Sequence, residues 1–285
     1  MTITIKQNKS NTTNSSDSGL TEKTNPLYEF AFMGVQNYYE DKIKELENLA
    51  EKEIWYSNNP DNLDRLKNYI KFTFARIQSQ NKILYNSNNT IAIFNTGLLT
   101  DNSEEILCLF KKRENIDNQN ENYKEWIFKY FIKQSDRDIT NNFSHLPELA
   151  SYTDNPNDYY FDSTQEITLN SDHILEDNWK RYPDEIKAMG KNIVSSLVRD
   201  AFEIAKKKVK RNNRLVVPQF YKNQIMYLMP IDIHLDDSKK ITLALAIEKT
   251  EVGTYRANTI FTLDMAYPKA RLIMKPESNW LIKRT

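Results

Sequence analysis

Between Arg214 and Met274 the chain reads as a series of apolar segments joined by links too short to hold a crossover helix. The segments are 214–219, 224–230, 240–248, 257–263 and 271–274, and Lys222-Asn223, Asp236-Asp237-Ser238 and Val252-Gly253 separate them. Parallel strands need a crossover of a dozen or more residues, whereas antiparallel strands close through tight turns. The series therefore predicts an antiparallel meander. A long amphipathic stretch precedes it, at 184–211. There Ile193, Val194, Leu197, Val198, Ala201, Ile204 and Ala205 recur at the spacing of one helix face.

The first part of the chain adds more helix. Ile43, Leu46, Leu49 and Ala50 predict a helix over 35–55, and Leu63, Leu66, Tyr69, Ile70 and Phe74 predict another over 61–78. Asn59-Pro60-Asp61 divides them, with Asp61 in the N-cap position. Strands are expected at 82–86 and 90–95, joined by a turn at 86–89, and at about 104–111. Residues 112–122 and 146–182 read as loops. The predicted fold is α+β: an antiparallel multi-stranded sheet with helices from 28–80 and 184–211 packed against it. Residues 1–26 include the polar run NKSNTTNSSDS and read as a disordered tail, leaving 27–285 as a single domain.

Glycine scarcity excludes several functions. The chain has five glycines and neither a G-x-G-x-x-G nor a G-x-x-x-x-G-K-[ST] run, which argues against Rossmann and P-loop phosphate cradles. His145, His173 and His234 lie far apart without cysteine partners, so no familiar zinc spacing exists. The one cysteine, Cys108, sits in an apolar run and reads as a buried hydrophobe. Without a possible internal disulfide the chain suits a reducing, cytoplasmic setting. No stretch approaches the roughly 18 apolar residues of a membrane span. With 39 basic and 39 acidic side chains the formal net charge is zero, so nucleic-acid binding would need a local basic patch.

Four constellations carry candidate chemistry. Asn95-Thr96-Gly97 ends a predicted strand, and Gly97 allows a positive φ that would turn backbone N–H groups toward an anion. The same residues also read as a tight turn with a satisfied Asn95. Asp172-His173 offers a general acid or base beside a carboxylate, and Asp172 with Asp177 offers ligands for hydrated Mg²⁺. The other reading is a capped loop, with Asp172 as N-cap of a short turn and Arg181 paired at the surface. Lys206, Lys207, Lys210, Arg211 and Arg214 form a phosphate patch or a solvated helix end. Gln219, Tyr221 and Lys222 follow, suited to hydrogen-bonding and stacking on a base. The fourth constellation is Arg256, Asp264, Tyr267 and Arg271, read as a strand, a tight turn and a second strand at 271–274. It forms either a ligand-binding wall or a salt-bridged turn in which Asp264 pairs with Arg271 or Arg256.

These pieces together resemble one family. The matching segments are Ala92 to Leu98, Leu146 to Tyr152, Asp172-His173-Ile174, Asp177-Asn178, Arg181-Tyr182-Pro183, Val217 to Tyr221, Glu248-Lys249, Tyr255-Arg256-Ala257, Leu263 to Tyr267, Ala270 to Ile273, and Trp280-Leu281. Over about residues 27–282 the chain is similar to the DUF 3825 family, a domain of unknown function. The resemblance implies association with RNA-binding modules, such as winged-helix or cold-shock-type domains, in multidomain bacterial proteins. It assigns no catalytic residue. Only the short polar tail precedes the domain here, so the chain is expected either to bind weakly alone or to need an RNA-binding partner protein.

Two functions are therefore expected. One is a nucleotide- or RNA-binding domain whose composite pocket is lined by Asn95, Thr96, Gly97, Asp172, His173, Gln219, Tyr221, Arg256, Asp264, Tyr267 and Arg271. The other is a phosphoester- or nucleotide-processing enzyme with His173 as acid/base, Asp264 or Asp172 as metal carboxylate and Arg271 as an electrostatic clamp. A protein-interaction scaffold is the third alternative.

Overall fold

The computed structural model describes residues 25–35, 37–56, 59, 61–114 and 124–282. Most of the expected tail, and residues 115–122 of the expected 112–122 loop, lie outside the described residues. Two five-stranded sheets replace the single expected sheet, and the α+β class stands.

The first sheet has the order β1 (Ala31–Phe32), β5 (Trp126–Lys133), β4 (Glu105–Lys112), β3 (Ile91–Leu99) and β2 (Leu84–Tyr85). All its pairings are antiparallel except β1 with β5. Period-2 alternation sends Ala92 and Phe94 to one face and Ile93 to the other, where Ile93, Leu107, Leu109 and Ile132 form a small core with Ile139 of α4 (Arg137–Thr140). Strand β5 was not predicted.

The second sheet has the order β6 (Ile167–Leu169), β10 (Tyr255–Phe261), β9 (Lys240–Lys249), β8 (Gln224–His234) and β7 (Val217–Tyr221). Strands β7 to β10 form the expected meander, and β6 joins its edge parallel to β10. The expected single helix over 184–211 is two, α5 (Asp184–Lys187) and α6 (Lys191–Arg211). They part at Gly190, whose φ of +83° a right-handed helix cannot continue through. The apolar stripe of α6 covers one face of this sheet, packing Val194, Val198 and Ala205 with Tyr227, Met229 and Ile231.

Between the two sheets lies the main core. After the short helix α1 (Pro26–Phe30), helix α2 (Tyr38–Leu49) and helix α3 (Asp64–Ser79) bring Ile43, Leu46, Ile70 and Phe74 against Phe94, Phe110 and Phe128 of the first sheet. The same cluster takes in Leu228, Ala244, Ala246 and Phe261 of the second sheet, so α3 bridges the halves. The predicted helix over 35–55 ends at Leu49. Residues 51–56 run on without helical structure and carry Glu53 and Trp55 inward. Asn59 O accepts from Asn62 N at 3.0 Å, but α3 starts three residues after the proposed Asp61 cap, and Asn62 Oδ1 accepts from Asp64 N at 3.0 Å.

Residues 271–274 are not a strand. After β10 the chain enters helix α7 (Leu263–Arg271), followed by a short α8 (Asn279–Ile282). Thr262 starts α7 by accepting a hydrogen bond from Met265 N. Leu263, Ala266, Tyr267 and Ala270 then pack into the main core, and this burial holds a helix that contains Pro268.

Candidate functional site

Because α7 is a helix, Asp264, Tyr267 and Arg271 lie at i, i+3 and i+7 along one side of it. They do not meet Arg256. Asp264 Oδ1 accepts a hydrogen bond from Nε of Arg65 at 2.8 Å, and Nη2 of the same guanidinium lies in ion-pair contact with that oxygen at 2.8 Å. Tyr267 donates its hydroxyl to Glu53 at 2.6 Å, and Arg271 donates Nε to both oxygens of the same carboxylate. Arg65 also lies 4.9 Å from the Tyr267 ring, and Arg271 lies 5.2 Å from the Tyr69 ring. Burial, and then the Glu53 charge, push the Tyr267 hydroxyl far above its ordinary value. Burial alone would lower the Arg271 guanidinium, but the Tyr69 and Glu53 oxygens outweigh it and raise it. The salt-bridged reading of this segment is the geometry present, with partners other than those expected: Arg65 for Asp264 and Glu53 for Arg271.

Asn95, Thr96 and Gly97 are closed off in a different way. They lie within β3 rather than at its end, where the register with β4 shifts between Asn95 and Leu98. Asn95 is buried, donates to Glu105 at 2.8 Å and accepts from Gly97 N at 2.9 Å. Thr96 Oγ1 donates to Ile106 O, and Tyr69 Oη donates to Thr96 O at 2.8 Å. Gly97 has the expected positive φ, +72°, but the bulge and Tyr69 use it.

His173, Tyr221 and Arg256 do come together. With Asn170, Lys222, Met226, Glu248, Asn258 and Thr259 they line a shallow cleft of about 160 Å³ at one end of the second sheet. Arg256 and Asn258 project from β10, and Arg256 stands directly across from Glu248 of β9. Asn170, just after β6, donates to Asn258 at 3.0 Å, and Asn258 donates in turn to Glu248. His173 begins a single π-helical turn, His173–Asp177, and its Nδ1 lies 2.6 Å from Asp177 Oδ2. That bond commits Asp177 to orienting the imidazole. Asp172 precedes the turn, is exposed and makes no capping bond. Tyr221 and Lys222 arrive through the β7–β8 hairpin, where Lys222 and Asn223 both take left-handed φ values of 50° and 59°. The Lys222 ammonium lies 5.7 Å from the Tyr221 ring. Asn170 and Asn258 were missed; the polar residues Arg256 and Asn258, spaced by two in β10, were the available signal.

The remaining candidates do not line this cleft. Gln219 is fully buried on β7. Lys206, Lys207 and Lys210 line a separate hollow of about 260 Å³ with Ser163, Gln165, Glu166 and Glu203, and Lys206 pairs with Glu203 at 2.8 Å. Arg211 bonds the Lys207 carbonyl, and Arg214 lies in the turn after α6. Since α6 covers the sheet face bearing Tyr227 and Met229, these cations sit across the sheet from the face of Met226. Asp264 lines a third cleft with Asp232, Lys208, Lys240 and Trp280. The composite pocket expected from the sequence is thus divided among separate places. Among the described residues no three acidic, histidine or cysteine side chains gather as a metal site, and no helix is long and apolar enough to cross a membrane.

No curated protein and no solved structure matches the chain. The family model for a domain of unknown function, DUF3825, matches residues 46–280, from the last turns of α2 to α8 and so across both sheets and every residue of the cleft. The chain belongs to this family.

Proposed function

We propose that the cleft between His173, Tyr221 and Arg256 binds single-stranded RNA or a nucleotide. The observation that carries this reading is the exposed Arg256. Its guanidinium faces a cleft that also presents a second cation, an aromatic ring and a set of amides. Arg256 and Lys222 are suited to phosphate, the Tyr221 ring to stacking on a base, and Glu248, held in place by Asn258, to sugar hydroxyls. Tyr221 is backed by the edge of Phe261 at 5.5 Å and by Lys269, which steadies it as a platform. The test is anisotropy titration of labelled single-stranded RNA at several salt concentrations. Arg256→Ala and Lys222→Ala should each weaken binding and reduce the salt slope by about 0.7. Unchanged affinity and slope in both variants would refute the reading.

A second reading rests on the Asp177–His173 bond. A carboxylate-oriented imidazole in the same cleft is suited to general acid–base work on a phosphoester. Asp264 takes no part in it, since it lines a different cleft and pairs with Arg65. RNA hydrolysis by the wild-type chain that disappears in His173→Ala is the outcome this reading requires.

A further inference from the structure

Gln219 is 0 % exposed, and neither its Oε1 nor its Nε2 has a hydrogen-bond partner among the described residues. The other amides near the cleft are satisfied: Asn170 by Asn258, and Asn258 by Glu248. Buried polar groups are nearly always paired, so an amide with both ends open needs an explanation.

Its position suggests one. Gln219 lies directly opposite Met226 in the β7–β8 register and two residues before Tyr221 on β7. Directly opposed residues share a sheet face, as do residues two apart on one strand. Both of these neighbours line the cleft. Tyr227 is opposite Ile247, so Met226 and Glu248 are one step further along their strands, and Glu248 is opposite Arg256. Arg256, Glu248, Met226 and Gln219 therefore form one row across four strands. The row begins in the open cleft and ends at the unsatisfied amide.

We infer that Gln219 is a specificity-determining residue that reads the base held in this cleft, and that the base is adenine. This rests on the proposed binding of RNA or nucleotide there. A glutamine amide presents one donor and one acceptor side by side. Adenine alone among the four common bases shows a matching donor–acceptor pair on both its Watson–Crick edge, N6 with N1, and its Hoogsteen edge, N6 with N7. Met226, unbranched and flexible, is the group that swings aside to admit the base edge. Arg256, at the far end of the row, holds the phosphate.

The experiment compares labelled oligo-A, oligo-U and oligo-C, and free AMP, on the full chain and on the Gln219→Met and Arg256→Ala variants. Wild type should prefer oligo-A over oligo-U by roughly tenfold. Gln219→Met should lose that preference, keep the salt slope, and melt at a higher temperature without ligand because the open amide is gone. Arg256→Ala should keep the preference and lose slope. If Gln219→Met fails to fold, Gln219→Leu takes its place. AMP competition against oligo-A separates a free nucleotide from a strand as the ligand, and either result upholds the inference. Binding that falls in Arg256→Ala but ignores base identity, or a preference that survives Gln219→Met, overturns the inference alone. Absence of any binding by the wild-type chain overturns both the inference and the reading on which it rests.

Discussion

Arg271 donates Nε to both carboxylate oxygens of Glu53, at 2.8 and 2.9 Å, from 218 residues further along the chain. Both side chains are largely withdrawn from water, at 15 % and 4 % exposure. The pair fastens α7 to the segment after α2, and Tyr267 shares the same carboxylate. Removing one partner strands the other charge. Glu53→Ala should therefore destabilise the fold by about 3–5 kcal/mol in urea denaturation. The double change Glu53→Leu, Arg271→Met should recover most of that loss. A single-variant cost under about 1 kcal/mol would mean that water already satisfies Arg271.

Gly97→Ala tests the bulge in β3. A methyl group there would lie 2.8 Å from the Tyr69 hydroxyl, at a φ of +72° that side chains disfavour. The expected loss is about 2 kcal/mol or more, combining the left-handed penalty with the displaced Tyr69–Thr96 bond. Adding Tyr69→Phe should relieve only the steric part. A neutral Gly97→Ala in thermal melting would contradict the geometry.

Lys222→Gly should move stability and binding in opposite directions. Left-handed backbone at a residue with a side chain costs about 1–2 kcal/mol, and glycine removes that cost. Part of the gain is returned as greater freedom of the unfolded chain. The variant should unfold at a slightly higher urea concentration. It should also bind single-stranded RNA more weakly, by the loss of one cation from the cleft. A less stable variant would show that Lys222 contributes packing that outweighs its backbone strain.

Asp232 predicts an acid-side dependence. Burial alone would raise its carboxyl, but hydrogen bonds from Thr242, Lys240 and Lys208 outweigh it and hold the carboxyl below the ordinary value. A depressed folded value means that the stabilisation is complete above about pH 4, the unfolded range, and is lost as pH falls through the folded value. Asp232→Asn should flatten that part of the stability profile and leave its shape above about pH 6 unchanged. An identical acid limb in the variant would assign the dependence to other carboxylates.

The meander was legible because its strands alternate and its turns are short, and α6 because its stripe runs for 21 residues. The error at 271–274 has a local cause. Pro268 and the short run Leu272-Ile273-Met274 imitate a turn and a strand, while the helix-start signal at Thr262 is one side-chain bond. What decides for helix is the burial of Ala266, Tyr267 and Ala270 against residues distant in sequence, and no window around Pro268 contains that information. Strand β6 escaped notice for a similar reason: three residues acquire strand structure only by lying beside β10. Within the site, Tyr221 and Arg256 were visible as polar residues in apolar strands. The separation of Asp264 from Arg256 was not, because it depends on Arg65 and Glu53 reaching in from the stretch between β1 and β2.

The Glu53–Arg271 bond also sets an order of events in synthesis. The acid leaves the ribosome long before its base, as does Arg65 before Asp264, and contacts this distant in sequence are the slow ones to form. Until α7 is made, the half of the protein that appears first holds a carboxylate and a guanidinium that cannot be buried without cost. The corner of the core around Glu53 and Arg65 therefore closes only after α7, the helix before the short α8, has been translated.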